Sequence, residues 1–220
     1  MISVVIPALD EERAIAGAIG SVRDEAGEVI VADGGSADGT CAVAEAAGAV
    51  VVAGPRGRGA QLDQGARAAR GEWLLFLHAD TRLQPRWSAA LRALEPDVAG
   101  GAFRLAIDSP RPAFRVIELG ARLRCRFLRL PYGDQALFAR REAYQHIGGF
   151  RPLPLMEDVD FVRRLRGAGR LALLPQPALT SPRRWEARGV LRGTLRNWRV
   201  MALYALGRSP ESLARIYRAR

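Results

Sequence analysis

Four short apolar runs divide the first 77 residues at regular intervals, and the spacing between them leaves room for one helix each time. The runs are Ile2-Ser3-Val4-Val5-Ile6, Glu28 to Ala32, Val50-Val51-Val52-Ala53 and Trp73-Leu74-Leu75-Phe76-Leu77. Between them, Glu11 to Arg23 carries Ile15, Ala18, Ile19 and Val22 on one helical face. The stretch opened by Asp38-Gly39-Thr40 carries Val43, Ala44 and Ala47, and Gln61 to Arg70 reads as a third helix. Strand, helix, strand in this order requires parallel pairing with right-handed crossovers. The expected class is α/β, a Rossmann-like, mostly parallel central sheet flanked by helices.

In such a sheet the carboxyl ends share one edge, where ligands gather. Topology alone therefore collects the loops Pro7 to Glu12, Asp33 to Ser36, Gly54 to Gly59 and His78 to Asp80. The fourth strand has five apolar residues without alternation, which suits burial on both faces, and it breaks straight into His78-Ala79-Asp80-Thr81. Side chains two apart on an extended segment point the same way, so His78 and Asp80 can hold a divalent cation together. The same residues are also ordinary turn chemistry, and at this level both readings stand.

The other loops carry similar pairs of readings. Asp33 can accept a hydrogen bond from a base N–H or a ribose hydroxyl, or it can cap its own turn. Gly54-Pro55-Arg56-Gly57-Arg58-Gly59 lacks the Gly-Lys-Ser/Thr ending of a P-loop, and Gly34-Gly35 lacks dinucleotide-binding spacing. Two arginines in a glycine loop suit bidentate pairing with a diphosphate, or a solvated turn. Glu157-Asp158 precedes an apolar helical run; the pair can satisfy free amides at a helix start or supply a general base facing an acceptor hydroxyl.

The second half is less regular. A strand is expected at Gly100 to Leu105, an Arg-rich helix from Pro112 to Leu130, and a short helix over Arg140 to Tyr144. A helix from Glu157 through Leu165 and a strand at Leu171 to Leu174 follow. Cys41 and Cys125 lack metal-ligand spacing and read as buried thiols.

The formal charge is +10, yet lysine is absent and all 33 counted basic residues are arginine, a compositional bias that makes charge weak evidence for a nucleic-acid partner, and none is expected. From Ser181 onward ten arginines face only Glu186 and Glu211. There Leu191, Leu195, Trp198 and Ala202 recur at helical spacing opposite Arg192, Arg196 and Arg199. Such a helix packs on its own domain, or on a partner subunit to make a homodimer, or rests on an anionic membrane surface. No apolar run approaches the roughly 18 residues of a membrane span, and Met1 leads directly into a strand. The expected location is cytoplasmic, peripheral at the inner membrane if the tail binds lipid.

A family resemblance rests on ordered blocks. Val4 to Glu12, Ile30 to Thr40, Arg58 to Gly65 and Phe76 to Asp80, then Tyr132-Gly133-Asp134-Gln135, Gly148-Gly149-Phe150 and Glu157-Asp158, resemble successive blocks of family-two glycosyltransferases. His78 with Gly133-Asp134-Gln135 further resembles a small soluble subgroup linked to arsenosugar biosynthesis. The resemblance implies a GT-A fold over residues 1–185, and the helical spacing of the tail makes residues 186–220 an amphipathic, Arg-rich helical extension packed on it. It also implies inverting transfer from a UDP- or GDP-sugar to an acceptor hydroxyl of unknown identity.

By the same resemblance Pro7, Leu9, Glu11, Val31 and Asp33 line the nucleotide pocket. His78, Ala79 and Asp80 stand at the Asp-x-Asp position, with Asp80 as ligand of Mg²⁺ or Mn²⁺. Asp158 becomes the base, Gln135 and Glu157 belong to the acceptor-side blocks, and Arg58 with Arg183 or Arg184 meets phosphate charge. Three departures bear on the donor: His78 for the first acid, Asp63 for the usual Asn, and Gly34 for the second acid after the second strand. Two competing classes fit less well. A sugar-phosphate nucleotidyltransferase needs a glycine-rich amino-terminal loop with a basic residue, which Pro7-Ala8-Leu9-Asp10 does not offer. A non-enzymatic anion- or membrane-binding module leaves Asp80 and Asp158 without a role.

Overall fold

The four apolar runs pair as the parallel half of one sheet. Strands β1 (Ile2–Ala8), β2 (Glu28–Asp33), β3 (Val50–Ala53) and β4 (Trp73–Phe76) alternate with helices α1 (Glu12–Val22), α2 (Thr40–Ala46) and α3 (Arg58–Ala68). Ala8 lies opposite Asp33 and Asp33 opposite Ala53, while Val5 pairs with Phe76, so the carboxyl ends share an edge. The structure, a computed structural model, describes residues 1–218, and among these not the side chains of Arg184, Arg188, Leu191 and Arg218.

The second half adds β5 (Thr81–Leu83), α4 (Trp87–Arg92), β6 (Val98–Ile107), α5 (Pro112–Leu128) and a one-turn 3-10 helix at Gly133–Gln135. After these come β7 (Leu137–Arg140), α6 (Arg141–His146), α7 (Glu157–Ala168) and β8 (Arg170–Thr180). The sheet order is β3-β2-β1-β4-β7-β6-β8-β5. Its mixed layout, parallel on one side and joined through an antiparallel strand to the rest, is a GT-A arrangement.

Two strands were not expected. The four-residue β7 runs antiparallel to both β4 and β6 and welds the halves together, and the three-residue β5 pairs with the far end of β8. Neither shows periodicity, because each is too short and takes its order from partners distant in sequence. Strand β8 also runs past the expected Leu171 to Leu174, crossing Pro175 and Pro177 where its register on β6 shifts.

Helices cover both faces. Ile15, Ile19 and Val22 of α1 pack with Trp87 and Phe103 on one side. Phe76, Tyr144, Phe150 and Phe161 cluster on the other, with the Phe150 and Phe161 rings stacked at 4.0 Å. Full burial of side chains of this size contributes about 1.5–3 kcal/mol each. Cys125 is buried as expected, whereas Cys41 is only half-buried.

The chain ends in α8 (Arg183–Arg188), α9 (Val190–Ala205) and α10 (Pro210–Arg218). Val200 and Leu213 are buried in the same cluster as Phe161, and Trp185 packs on Phe114 of α5. The face expected to do this packing is the wrong one. Leu195, Trp198 and Ala202 point outward, with Trp198 68% exposed, while Gly193, Arg196, Val200 and Met201 face the body. Leu191 lies outside the described side chains. The inward choice is set by α10, whose Tyr217 ring receives the Arg196 guanidinium at 4.1 Å, and by close passage of Gly193 over Trp185. Among the described residues no helix is long and apolar enough to cross a membrane.

Candidate active site

The loops at the shared edge are tied to each other before any ligand is considered. The amide of Glu11 donates to Thr40 Oγ1 at 2.8 Å, and that of Ala37 to Asp10 Oδ1 at 2.8 Å. Gln61, 4% exposed, donates through Nε2 to the carbonyls of Ala8 and Ala32 at 2.6 and 2.9 Å. One amide thus clamps the ends of β1 and β2, a role that no motif announces.

Asp33 accepts from the amides of Gly35 and Ser36 at 2.8 and 3.0 Å and from the Ser36 hydroxyl at 2.5 Å. Burial opposes its ionisation, but these donors prevail and hold the carboxyl below its usual range. Its capping role is therefore the one present. Val31 is fully buried in the core beneath and does not line the cleft.

Asp80 follows directly from the new strand pairing. Strand β5 sets Thr81 against Thr180, with their hydroxyls 3.0 Å apart, and the Ser181 amide donates to the Asp80 carbonyl at 3.0 Å. This places Arg183 over the carboxylates: its Nε donates to Asp80 Oδ2 at 3.1 Å and its Nη2 to Glu11 Oε1 at 2.5 Å. A positive charge already sits between two acids from loops 1 and 4. Among the described residues no three His, Cys, Asp or Glu side chains cluster as a complete metal site.

Across the cleft, Met156 adopts a left-handed conformation (φ 67°) and turns the chain sharply into α7. Glu157, 2% exposed, pairs with Arg58 at the start of α3. Burial pushes the Glu157 carboxyl up against the pull of Arg58; burial would likewise lower Arg58, but Glu157 and Asp158 overcome it and raise the guanidinium above its usual value. The next side chain, Asp158, accepts from the Gly133 amide at 2.8 Å through Oδ2 and from its own Val159 amide at 2.8 Å. The fit at Gly133 is tight: a Cβ on it would lie 3.0 Å from His78 Nε2 and 3.3 Å from Asp158 Oδ2 and would displace them by a few tenths of an ångström.

Two openings meet at this point. A cleft of about 900 Å³ is lined by Pro7, Leu9, Glu11, Arg58, His78, Ala79 and Glu157. A cavity of about 180 Å³ is lined by His78, Asp80, Asp158 and Tyr132, with Arg196 and Tyr217 added from the tail. Arg58 and His78 border both.

Of the expected site residues, Pro7, Leu9, Glu11, Arg58, His78, Ala79, Asp80, Glu157 and Asp158 therefore converge. Gln135 does not reach either opening: it is buried, accepting from Arg124 at 2.8 Å and donating to the Phe103 carbonyl at 3.2 Å. Arg183 reaches Asp80, whereas the Arg184 side chain lies outside the described residues. Tyr132 heads one of the acceptor-side blocks, whereas Arg196 and Tyr217 were not foreseen as cavity walls, because their place there depends on the fold of the tail.

Comparison with known proteins agrees with this geometry. Residues 3–151 match the family model for glycosyl transferase family 2. The chain matches none of the curated proteins. Among solved structures it is similar to glucosyl-3-phosphoglycerate synthase from Mycobacterium tuberculosis in complex with Mn²⁺, uridine-diphosphate and phosphoglyceric acid. The identity is 25% and the TM-score 0.60, over 80% of this chain and 69% of that one. The same enzyme with Mg²⁺ and uridine-diphosphate gives 25% identity and a TM-score of 0.58, over 80% and 69%. A structure described only as a mycobacterial protein gives 24% identity and a TM-score of 0.64, over 82% of this chain. The chain spans 66% of the length of that protein.

Proposed function

The chain belongs to glycosyl transferase family 2, and on that premise we propose that it moves a sugar from a nucleoside-diphosphate donor to an acceptor hydroxyl, with inversion at the anomeric carbon. One observation carries the reading: Asp158 and Asp80 line a single cavity, one held by an amide and the other already paired with a guanidinium. Residues 1–185 supply the donor cleft and both acids, and α9 and α10 wall the acceptor side.

The donor fits the larger cleft, whose volume is in the range of small-molecule sites. Pro7, Leu9, Glu11 and Ala79 face the nucleotide, and Arg58 faces the diphosphate. The pairing of Asp80 with a guanidinium is what fits a divalent ion here. Asp80 would hold it, with His78 beside, and diphosphate oxygens and water would complete a shell that one protein carboxylate does not. Such an ion, Mg²⁺ or Mn²⁺, supplies neutralisation of the charge that develops on the leaving diphosphate. The resemblance to an enzyme crystallised with Mn²⁺ and with Mg²⁺ supports this choice.

Asp158 takes the proton of the acceptor hydroxyl as that oxygen bonds to the anomeric carbon. The bond from that carbon to the diphosphate oxygen breaks, and its electron pair leaves with the nucleotide. The Gly133 amide and the helix start hold the Asp158 carboxyl in place, and a base so placed is worth about 10²–10⁴ in rate. Arg58 and Arg183 meet charge on the departing phosphate.

Slow donor hydrolysis tests the stereochemistry without a known acceptor. With an α-linked UDP- or GDP-sugar and Mn²⁺, proton NMR before mutarotation should show β-anomer released first. Initial release of the α-anomer would overturn inversion by Asp158.

A further inference from the structure

Helix α5 is buried on one face only. Phe114, Ala121 and Cys125 point into the body, while Val116, Leu119, Leu123 and Phe127 form an unbroken stripe on the opposite face. Phe127 is 73% and Val116 70% exposed. Adjoining the helix, a groove of about 730 Å³ is lined by Leu105, Leu171 and Leu173, by Arg122, Arg126 and Arg129, and by Glu118, whose charge is paired with Arg115 at 2.9 Å. Arg122, Arg126 and Arg129 are exposed and form no ion pair among the described residues. The neighbouring α9 adds the outward Leu195 and Trp198, flanked by exposed Arg192 and Arg199.

We propose that this face, centred on α5, docks on an anionic phospholipid surface. An apolar stripe bordered by unpaired arginines matches the two layers of a membrane interface, acyl chain beneath and phosphate above. The groove repeats the pattern at the scale of one headgroup. A second copy of the chain fits poorly, since a two-fold contact through the stripe would bring the same unpaired arginines together. The surface also abuts the proposed acceptor side: Arg124 of α5 lies over the ring of Tyr132, a wall of the Asp158 cavity, at 3.4 Å. Docking therefore brings that cavity close to the lipid plane.

The test is co-sedimentation of the full chain with phosphatidylglycerol vesicles and with phosphatidylcholine vesicles, at low and high salt, alongside light scattering of the free protein. Binding is expected to phosphatidylglycerol alone and to fall with salt. The Arg122→Ala/Arg126→Ala pair should weaken it about thirtyfold, at roughly one kilocalorie per basic residue. Leu123→Glu/Phe127→Glu should abolish it. All four positions are exposed, so both pairs should melt with the parent, and a Leu123→Ser/Phe127→Ser pair gives the same reading if the glutamates disturb folding. Failure to sediment with phosphatidylglycerol, equal sedimentation with phosphatidylcholine, or a dimer that the Glu pair converts to monomer would each overturn the proposal. None of these outcomes bears on sugar transfer, which the anomer experiment decides separately.

Discussion

Removing the Arg58 guanidinium while keeping its length, as in Arg58→Met, exposes what holds the two walls of the cleft together. Glu157 is 2% exposed, and Arg58 is its ion-pair partner. Breaking such a pair typically costs about 3–5 kcal/mol, because a buried carboxylate is left uncompensated. The Arg58 side chain is 35% exposed, so solvent already screens part of the interaction and about 3 kcal/mol is the better figure. In a chain of 220 residues that corresponds to a melting point lower by about 6–12 °C.

The pH dependence carries a sign. Burial places the folded Glu157 carboxyl above its unfolded value, and loss of Arg58 raises it further. A group whose folded pKa is raised stabilises the fold below its unfolded pKa, about 4.3, and that contribution is lost as pH rises through the folded value. The variant should therefore lie closest to the parent in mild acid and fall away toward neutrality. Arg58→Met/Glu157→Gln removes the charge and should recover most of the loss. Thermal unfolding of the parent, both singles and the double from pH 4.5 to 8 completes the cycle. A single variant that loses the same stability at every pH, or a double no better than the single, would refute the argument that charge burial is the cause.

Three further outcomes follow from the geometry. Gly133→Ala should cut transfer or donor hydrolysis by roughly three- to tenfold while shifting the melting point by only a few degrees. Its methyl group would press on His78 Nε2 and Asp158 Oδ2, and small displacements of reacting groups are costly. Ser36→Ala should destabilise by about 1 kcal/mol at pH 7 in urea titrations, through loss of a donor to Asp33. Because the folded Asp33 pKa is lowered, its stabilisation is present above the unfolded value and lost as pH falls through the folded one, so the difference between Ser36→Ala and parent should shrink in acid. Gly101→Ala should unfold the protein or lower its expression sharply, since a Cβ there would meet the Ala172 carbonyl oxygen at 1.9 Å.

The parallel half of the fold is legible in sequence because each strand is a continuous apolar run and each crossover a periodic helix, both local signals. Strands β5 and β7 are not, since three or four residues have no period and their partners lie far along the chain. The site divides the same way. His78 and Asp80 stand out because a buried strand ends there. The pairing of Arg58 with Glu157, 99 residues apart, and of Arg183 with Glu11, 172 apart, exists only once the sheet has formed. Gln135 illustrates the converse, a motif residue whose amide is consumed by the Phe103 carbonyl and Arg124 rather than offered to a ligand. The tail misled through composition: two of its faces are apolar enough to bury, and Tyr217, outside the helix itself, decides which one does.

Asp80 is assigned to donor binding through a divalent ion and Asp158 to proton removal. Isothermal titration of UDP and of GDP, with and without Mn²⁺, into the parent, Asp80→Ala and Asp158→Asn separates the two roles. One nucleotide should bind the parent only with Mn²⁺, lose that binding in Asp80→Ala, and keep it in Asp158→Asn, whose donor hydrolysis is nonetheless abolished. Absence of nucleotide binding to the parent in either condition, or equal loss of binding in both variants, would contradict the account.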